Sequence, residues 1–150
     1  METNGIKNNI DDKGDADHFE IRRTVYEDMI VYCRKALPYE ACGLLSGVKA
    51  TGSNIWKLKN ESLNPNRFYM SKGAIKLAVK KMEENGEELT GIFHSHPSSP
   101  AFPSSCDIEN NPYTHLAYFI VSFYKGKVEV GCFKMDGNTV TPLKLIIIDD

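Results

Sequence analysis

The sequence predicts a single mixed α/β domain in which two main helices pack around a sheet of about six strands. Three observations lead there. Six short runs carry the aliphatic, β-branched and aromatic residues typical of strands. Two segments repeat apolar residues at helical spacing. The 150 residues, 41% hydrophobic and 25% charged, suffice for one core of ordinary composition. There is no internal repeat and no stretch that reads as a linker between domains.

Residues 1–18 hold Gly, Asn, Asp and Lys with almost no apolar side chain. Such a segment cannot bury enough surface to offset its ordering entropy. It is expected to be a disordered tail, with residues 19–150 forming the domain. The first helix is expected near Thr24, where Thr24-Val25-Tyr26-Glu27 fits a capping box with Thr at the N-cap. Val25, Met29, Cys33 and Ala36 follow at helical spacing, and Pro38 closes the helix. Tyr39 to Gly47 reads as a short apolar strand with Glu40 at its entrance, and Asn54 to Lys59 as a second strand around the only tryptophan, Trp56.

Asn60 to Met70 lacks periodicity and reads as a surface loop. Ser71 can cap a second helix, whose stripe is Ile75, Ala78, Val79 and Met82. Asn85-Gly86 supplies its left-handed stop. The strand Leu89 to His96 comes next. A loop rich in Pro and Ser leads to a short helix over Ser104 to about Asn110. Leu116 to Tyr124, Val128 to Met135 and Thr139 to Ile148 read as strands. Lys125-Gly126-Lys127 and Asp136-Gly137-Asn138 are the turns between them, and Pro142 suits an edge or a bulge.

Charge and composition exclude several classes. A net charge of -2 gives no general attraction to nucleic acid or an anionic membrane. The longest aliphatic run, Leu145 to Ile148, falls far short of the ~20 residues that span a bilayer. No apolar segment at the N-terminus suggests a secretory signal. Cys33, Cys42, Cys106 and Cys132 form no CxxC pair, so reduced thiols and a cytoplasmic location are expected. A Cys106–Cys132 bridge stays open.

The chemistry concentrates at the end of the strand Leu89 to His96. Residues i and i+2 of a strand share a face, so His94 and His96 project together and Ser95 points the other way. Alone, two alternating histidines also fit a pair of surface residues. Asp107 follows the loop and can return as a third ligand, a set that leaves one position open on a tetrahedral zinc. Ser104 and Asp107 also fit a second capping box, and capping would fix the carboxylate's orientation. Glu40 is the candidate proton carrier, although nothing in periodicity brings it near the histidines and an exposed strand-entrance residue is the plainer reading.

Together these residues resemble a known family. His94-Ser95-His96-Pro97, six residues, Ser104, two residues and Asp107 match the H-x-H-P-x6-S-x2-D signature of the JAMM (MPN-plus) metalloproteases. Pro38 to Gly47 is similar to that family's upstream segment, a Glu before a Cys-Gly-Leu-Leu-x-Gly strand. Asn64-Pro65 and Arg67-Phe68 resemble the small, single-domain bacterial members. The resemblance implies a cytidine-deaminase-like, three-layer α/β/α sandwich with a curved mixed sheet. It implies one Zn2+ per chain held by His94, His96 and Asp107 with water in the fourth position. It implies Glu40 as general acid/base and Ser104 as a donor to the tetrahedral intermediate.

The implied reaction is hydrolysis of a peptide or isopeptide bond next to the C-terminal Gly-Gly of a ubiquitin-like or sulfur-carrier protein. The expected partner is that carrier, gripped by the loops at Asn60 to Met70 and Ile108 to His115. Nucleic acid and membrane are not expected partners, and monomer and homodimer both stay open. Two alternatives are a non-catalytic scaffold that holds such a tail and a small-molecule zinc amidohydrolase. The missing P-C-x-x-C ligand pair argues against a nucleobase deaminase.

Overall fold

Side chains alternate across a strand, so a strand buried on both faces needs an apolar cover on each side. The central strands of this chain meet that condition. A computed structural model describes residues 17–150; the rest of the expected tail, residues 1–16, lies outside the described residues. The elements run β1 (His18–Arg22), α1 (Arg23–Ala36), β2 (Cys42–Gly47), β3 (Thr51–Gly52) and β4 (Asn54–Leu58), then α2 (Lys72–Glu84) and β5 (Glu88–His96). After these come α3 (Ser105–Glu109), β6 (Ala117–Ser122), β7 (Glu129–Asp136), β8 (Thr139–Pro142) and β9 (Lys144–Ile148).

Six strands form a mixed sheet in the order β4-β2-β5-β6-β7-β8. Only the β5–β6 pair is parallel; the other pairs are antiparallel. Neighbouring residues on the central strands serve opposite cores. Leu45, Phe93 and Phe119 pack with Val25, Met29 and Cys33 of α1. Leu44, Ile92 and Tyr118 pack with Ala78 and Met82 of α2. The result is the expected helix, sheet, helix layering. A second, parallel sheet in the order β3-β1-β9 adds Phe19 and Ile21 to the α1 side.

Several local expectations change. His18, assigned to the tail, opens β1, a strand that the sequence reading did not resolve. Its partner β9 comes from the far end of the chain, and only Phe19 and Ile21 give it an apolar pattern. The Thr24 capping box does not form. Because β1 runs straight into α1, the N-cap is Arg22, with no side-chain cap. The Thr24 hydroxyl donates instead to Asp150 Oδ2 at 2.6 Å, placing a carboxylate at the positive end of the helix.

The strand expected over Thr139 to Ile148 divides at Leu143: β8 is the sheet's edge, ending at Pro142, and β9 joins the second sheet. The Lys125-Gly126-Lys127 turn is a 3-10 turn over Tyr124–Gly126. Ser71 caps α2 by accepting from the Ala74 N–H, and Gly86 follows the helix at φ +73°. All four cysteines are free thiols.

Gly43 shows how tightly β2 is held. A Cβ there would meet the Trp56 carbonyl of β4 and the Phe93 ring of β5. Gly43→Ala is expected to cost about 1–3 kcal/mol, since backbone on one side and a core ring on the other must move. Urea denaturation checks this, and an unchanged midpoint would show that the strand has room to spare.

Candidate active site

The histidines are placed by the register of β5 between β2 and β6, where Cys42, His94 and Ile120 are cross-strand neighbours. His94 is fully buried, and neither ring nitrogen has a hydrogen-bond partner. Its ring stacks on Phe68 at 4.4 Å, a residue of the loop between β4 and α2. His96 is better satisfied: Nδ1 lies 2.8 Å from the Pro100 carbonyl. A carbonyl only accepts, so Nδ1 carries a hydrogen, and Nε2 is the nitrogen turned towards the site.

Asp107 comes from α3. Ser104 Oγ accepts from the Asp107 N–H at 3.1 Å, and Asp107 Oδ2 accepts from the Ser104 N–H at 2.8 Å. The expected capping box therefore forms, and it aims the carboxylate. Oδ1 lies 3.3 Å from His94 Nε2, and Oδ2 lies 3.1 Å from His96 Nε2. One ligand atom from each of the three residues falls within 4.8 Å of the others. A buried imidazole with no hydrogen bond of good geometry, a second oriented by the Pro100 carbonyl and an aimed carboxylate suit a divalent cation. Two nitrogens and one oxygen also suit zinc, with one position to spare.

Glu40 reaches this place through backbone pairing. Ser95, turned away from the histidines, accepts from the Ala41 N–H through Oγ at 2.8 Å. The Ser95 N–H donates to the Ala41 carbonyl at 3.0 Å. These two bonds join positions 54 apart in sequence and set Glu40 beside the ligand strand. Glu40, His96, Ser104 and Asp107 then line one cavity of ≈ 660 Å³. Arg67 and Tyr69 from one expected loop, and Asn111 and Tyr113 from the other, complete its walls.

Burial dominates the electrostatics. It raises the Glu40 carboxyl to about 7, with His96 opposing and Asp107 adding to the shift. It pushes His94 below the usual histidine range, towards the neutral form that can ligate a metal. For His96, burial works against the charged form, but Asp107, the Pro100 carbonyl and Glu40 outweigh it and hold the ring above its ordinary value. Burial likewise acts to raise Asp107, yet the two imidazoles and the Ser104 N–H hold it well below the usual carboxylate range.

Four of the five expected site residues thus line one cavity, and the fifth, His94, is buried against Asp107. Cys106 lines that cavity without joining the three metal-type ligands, and among the described residues His18 and His115 take no part in that group. The sequence reading missed Ser95 and Phe68 as parts of the site. Ser95's one signal was its position between the histidines, on the opposite face of an apolar strand. Phe68's one signal was its place in the family-like Arg67-Phe68 pair, and nothing local shows that loop folding back over His94.

The chain matches the family model described as prokaryotic homologs of the JAB domain over residues 22–132. It is similar to the desampylase of Pyrococcus furiosus, 27% identical over 108 residues, covering 72% of this chain and 76% of the relative. The CysO-cysteine peptidase of Mycobacterium tuberculosis is 27% identical over 104 residues, covering 68% and 71% of the two chains. The solution structure of protein DSY2949 from Desulfitobacterium hafniense has a TM-score of 0.80 at 31% identity, over 88% of this chain and 94% of that one. A site built from both halves of the JAMM signature, on this fold, accords with a match over most of the chain: the protein belongs to the family of prokaryotic JAB-domain homologs.

Proposed function

We propose that the chain is a zinc metallopeptidase of the JAMM type. It hydrolyses a peptide or isopeptide bond next to the C-terminal Gly-Gly of a ubiquitin-like, sulfur-carrier-type protein. The observation that carries this reading is the convergence of His94, His96 and Asp107, two of which line the same open cavity as Glu40. The relatives' names, a desampylase and a CysO-cysteine peptidase, support the carrier conjugate as substrate class.

His94, His96 and Asp107 would hold the ion. Bound zinc supplies a Lewis acid for the scissile carbonyl and makes a water more acidic. Glu40 takes the proton of the attacking water and returns it to the leaving amine, and a carboxyl poised at about 7 suits both transfers near neutral pH. The Ser104 oxygen already accepts from Asp107, which leaves its hydroxyl hydrogen for the developing oxyanion. The loops around the cavity grip the extended tail by strand addition, which recognises main chain and asks little of side chains. Among the described residues no helix is long and apolar enough to cross a membrane.

Zinc is expected to bind one per chain and to raise the melting temperature, because it gives the His94 ring a partner. Asp107→Ala should lower the stoichiometry; full zinc content in that variant, by elemental analysis, would remove Asp107 from the ligand set. Glu40→Gln should keep zinc yet abolish cleavage of a carrier–amino-acid conjugate, followed by mass spectrometry. Full cleavage by that variant would sink the role given to Glu40.

The raised Glu40 carboxyl has a signature in the metal-free protein. Between about 4.5, the ordinary value, and about 7, the native state holds a proton that the unfolded chain has released. Stability from this group is therefore present below that window and is lost as pH rises through it. The melting-temperature advantage of wild type over Glu40→Gln in chelator should shrink from pH 5 to pH 8. An advantage that grows instead would contradict a desolvated Glu40.

A further inference from the structure

The loop that walls the cavity is suspended from one side chain. Asn60 Nδ2 donates to the Glu40 carbonyl and to the Arg67 carbonyl, both at 3.0 Å. Asn60 Oδ1 accepts from the N–H groups of Ser62 and Tyr69, again both at 3.0 Å. Two carbonyls on one side and two N–H groups on the other fix which end of the amide is which, and all four of these bonds are made.

The loop above it is built as a unit. The Glu61 N–H donates to the Tyr69 carbonyl at 2.8 Å and closes the base. Asn64 Oδ1 accepts from the Asn66 N–H at 2.9 Å, and the Asn64 carbonyl accepts from the Arg67 N–H at 3.2 Å. One end of this body, Phe68, rests on the ring of His94. A second attachment is the Asn60 bond to the backbone of Glu40, and a third ties Glu61 to the Ser71 N–H at the start of α2. Ala41, the next residue, is tied from the opposite side by Ser95.

We propose that Asn60 is a positioning residue for Glu40. Its amide connects the loop that meets substrate to the backbone of the acid/base, so the seating of the loop sets where the carboxylate stands. The inference rests on the function proposed above. It goes beyond that reading by giving the loop a role in the chemical step as well as in gripping the tail.

Asn60→Asp separates the two halves of the side chain. An aspartate keeps the acceptors for Ser62 and Tyr69 and loses the donors to the Glu40 and Arg67 carbonyls, while the Glu61–Tyr69 bond still closes the base of the loop. Asn60→Ala removes both halves and serves as a second variant. The zinc-loaded full chain is assayed on a sulfur-carrier protein extended past its Gly-Gly by one cysteine. Protection of the Ala41 amide is followed in parallel by NMR hydrogen exchange.

For Asn60→Asp we expect kcat to fall at least about tenfold with KM within about twofold of wild type. Zinc content should be unchanged, and Ala41 should exchange at least about tenfold faster. Asn60→Ala should lose kcat as well and in addition raise KM. An unchanged kcat, a loss confined to KM, or an Ala41 amide as protected as in wild type would overturn the assignment. Should the wild-type chain cleave no carrier conjugate, the proposed function fails on that result, and Ala41 protection alone decides the role of Asn60.

Discussion

The pairing of β2 with β5, and above all the two hydrogen bonds between Ala41 and Ser95, is the constraint on which the site depends. It joins the segment that carries Glu40 to the strand that carries His94 and His96. Gly43 lets the strands come this close, since any side chain there would strike Trp56 and Phe93. The period of two does the rest. Odd positions of β5 place Phe93 and Ser95 towards α1, and even positions place Ile92, His94 and His96 towards α2. A single strand thus anchors the core on one face and ends in two histidines on the other.

Desolvation acts on the two kinds of group in opposite directions and to one end. It raises the carboxyl of Glu40 and lowers the imidazole of His94, so each is driven towards its neutral form. Asp107 resists the same pressure because two imidazoles and a backbone N–H face it. The cavity consequently holds two carboxylates of different character a short way apart. One is held to its charge by its neighbours, and burial presses the other towards its neutral form.

Much of this was legible in the sequence because it was local. The stripes of α1 and α2, the Ser71 cap, the Gly86 stop and the Ser104–Asp107 box each depend on residues a few positions apart. The alternation of His94 and His96 gave the shared face directly. What stayed hidden depends on partners far along the chain. β1 needs β9, the start of α1 is served by Asp150, and Glu40 needs Ser95. Glu40 was reached only through resemblance to a family, since periodicity carries no distance between strands. Asn60 read as an ordinary loop residue because its four bonds close only when the loop has folded back.

The capping box at α3 has a consequence for how tightly an ion can be held. A carboxylate in a flexible peptide must give up its rotamers when it ligates, and that loss weakens binding. Asp107 has already surrendered them to the Ser104 N–H, and His96 has done the same to the Pro100 carbonyl. For a cation held here, the ordering entropy would fall on the folding of the chain and not on the ion's arrival. The sequence from His94 to Asp107, cut free of the domain, would offer the same donor atoms and bind far more weakly.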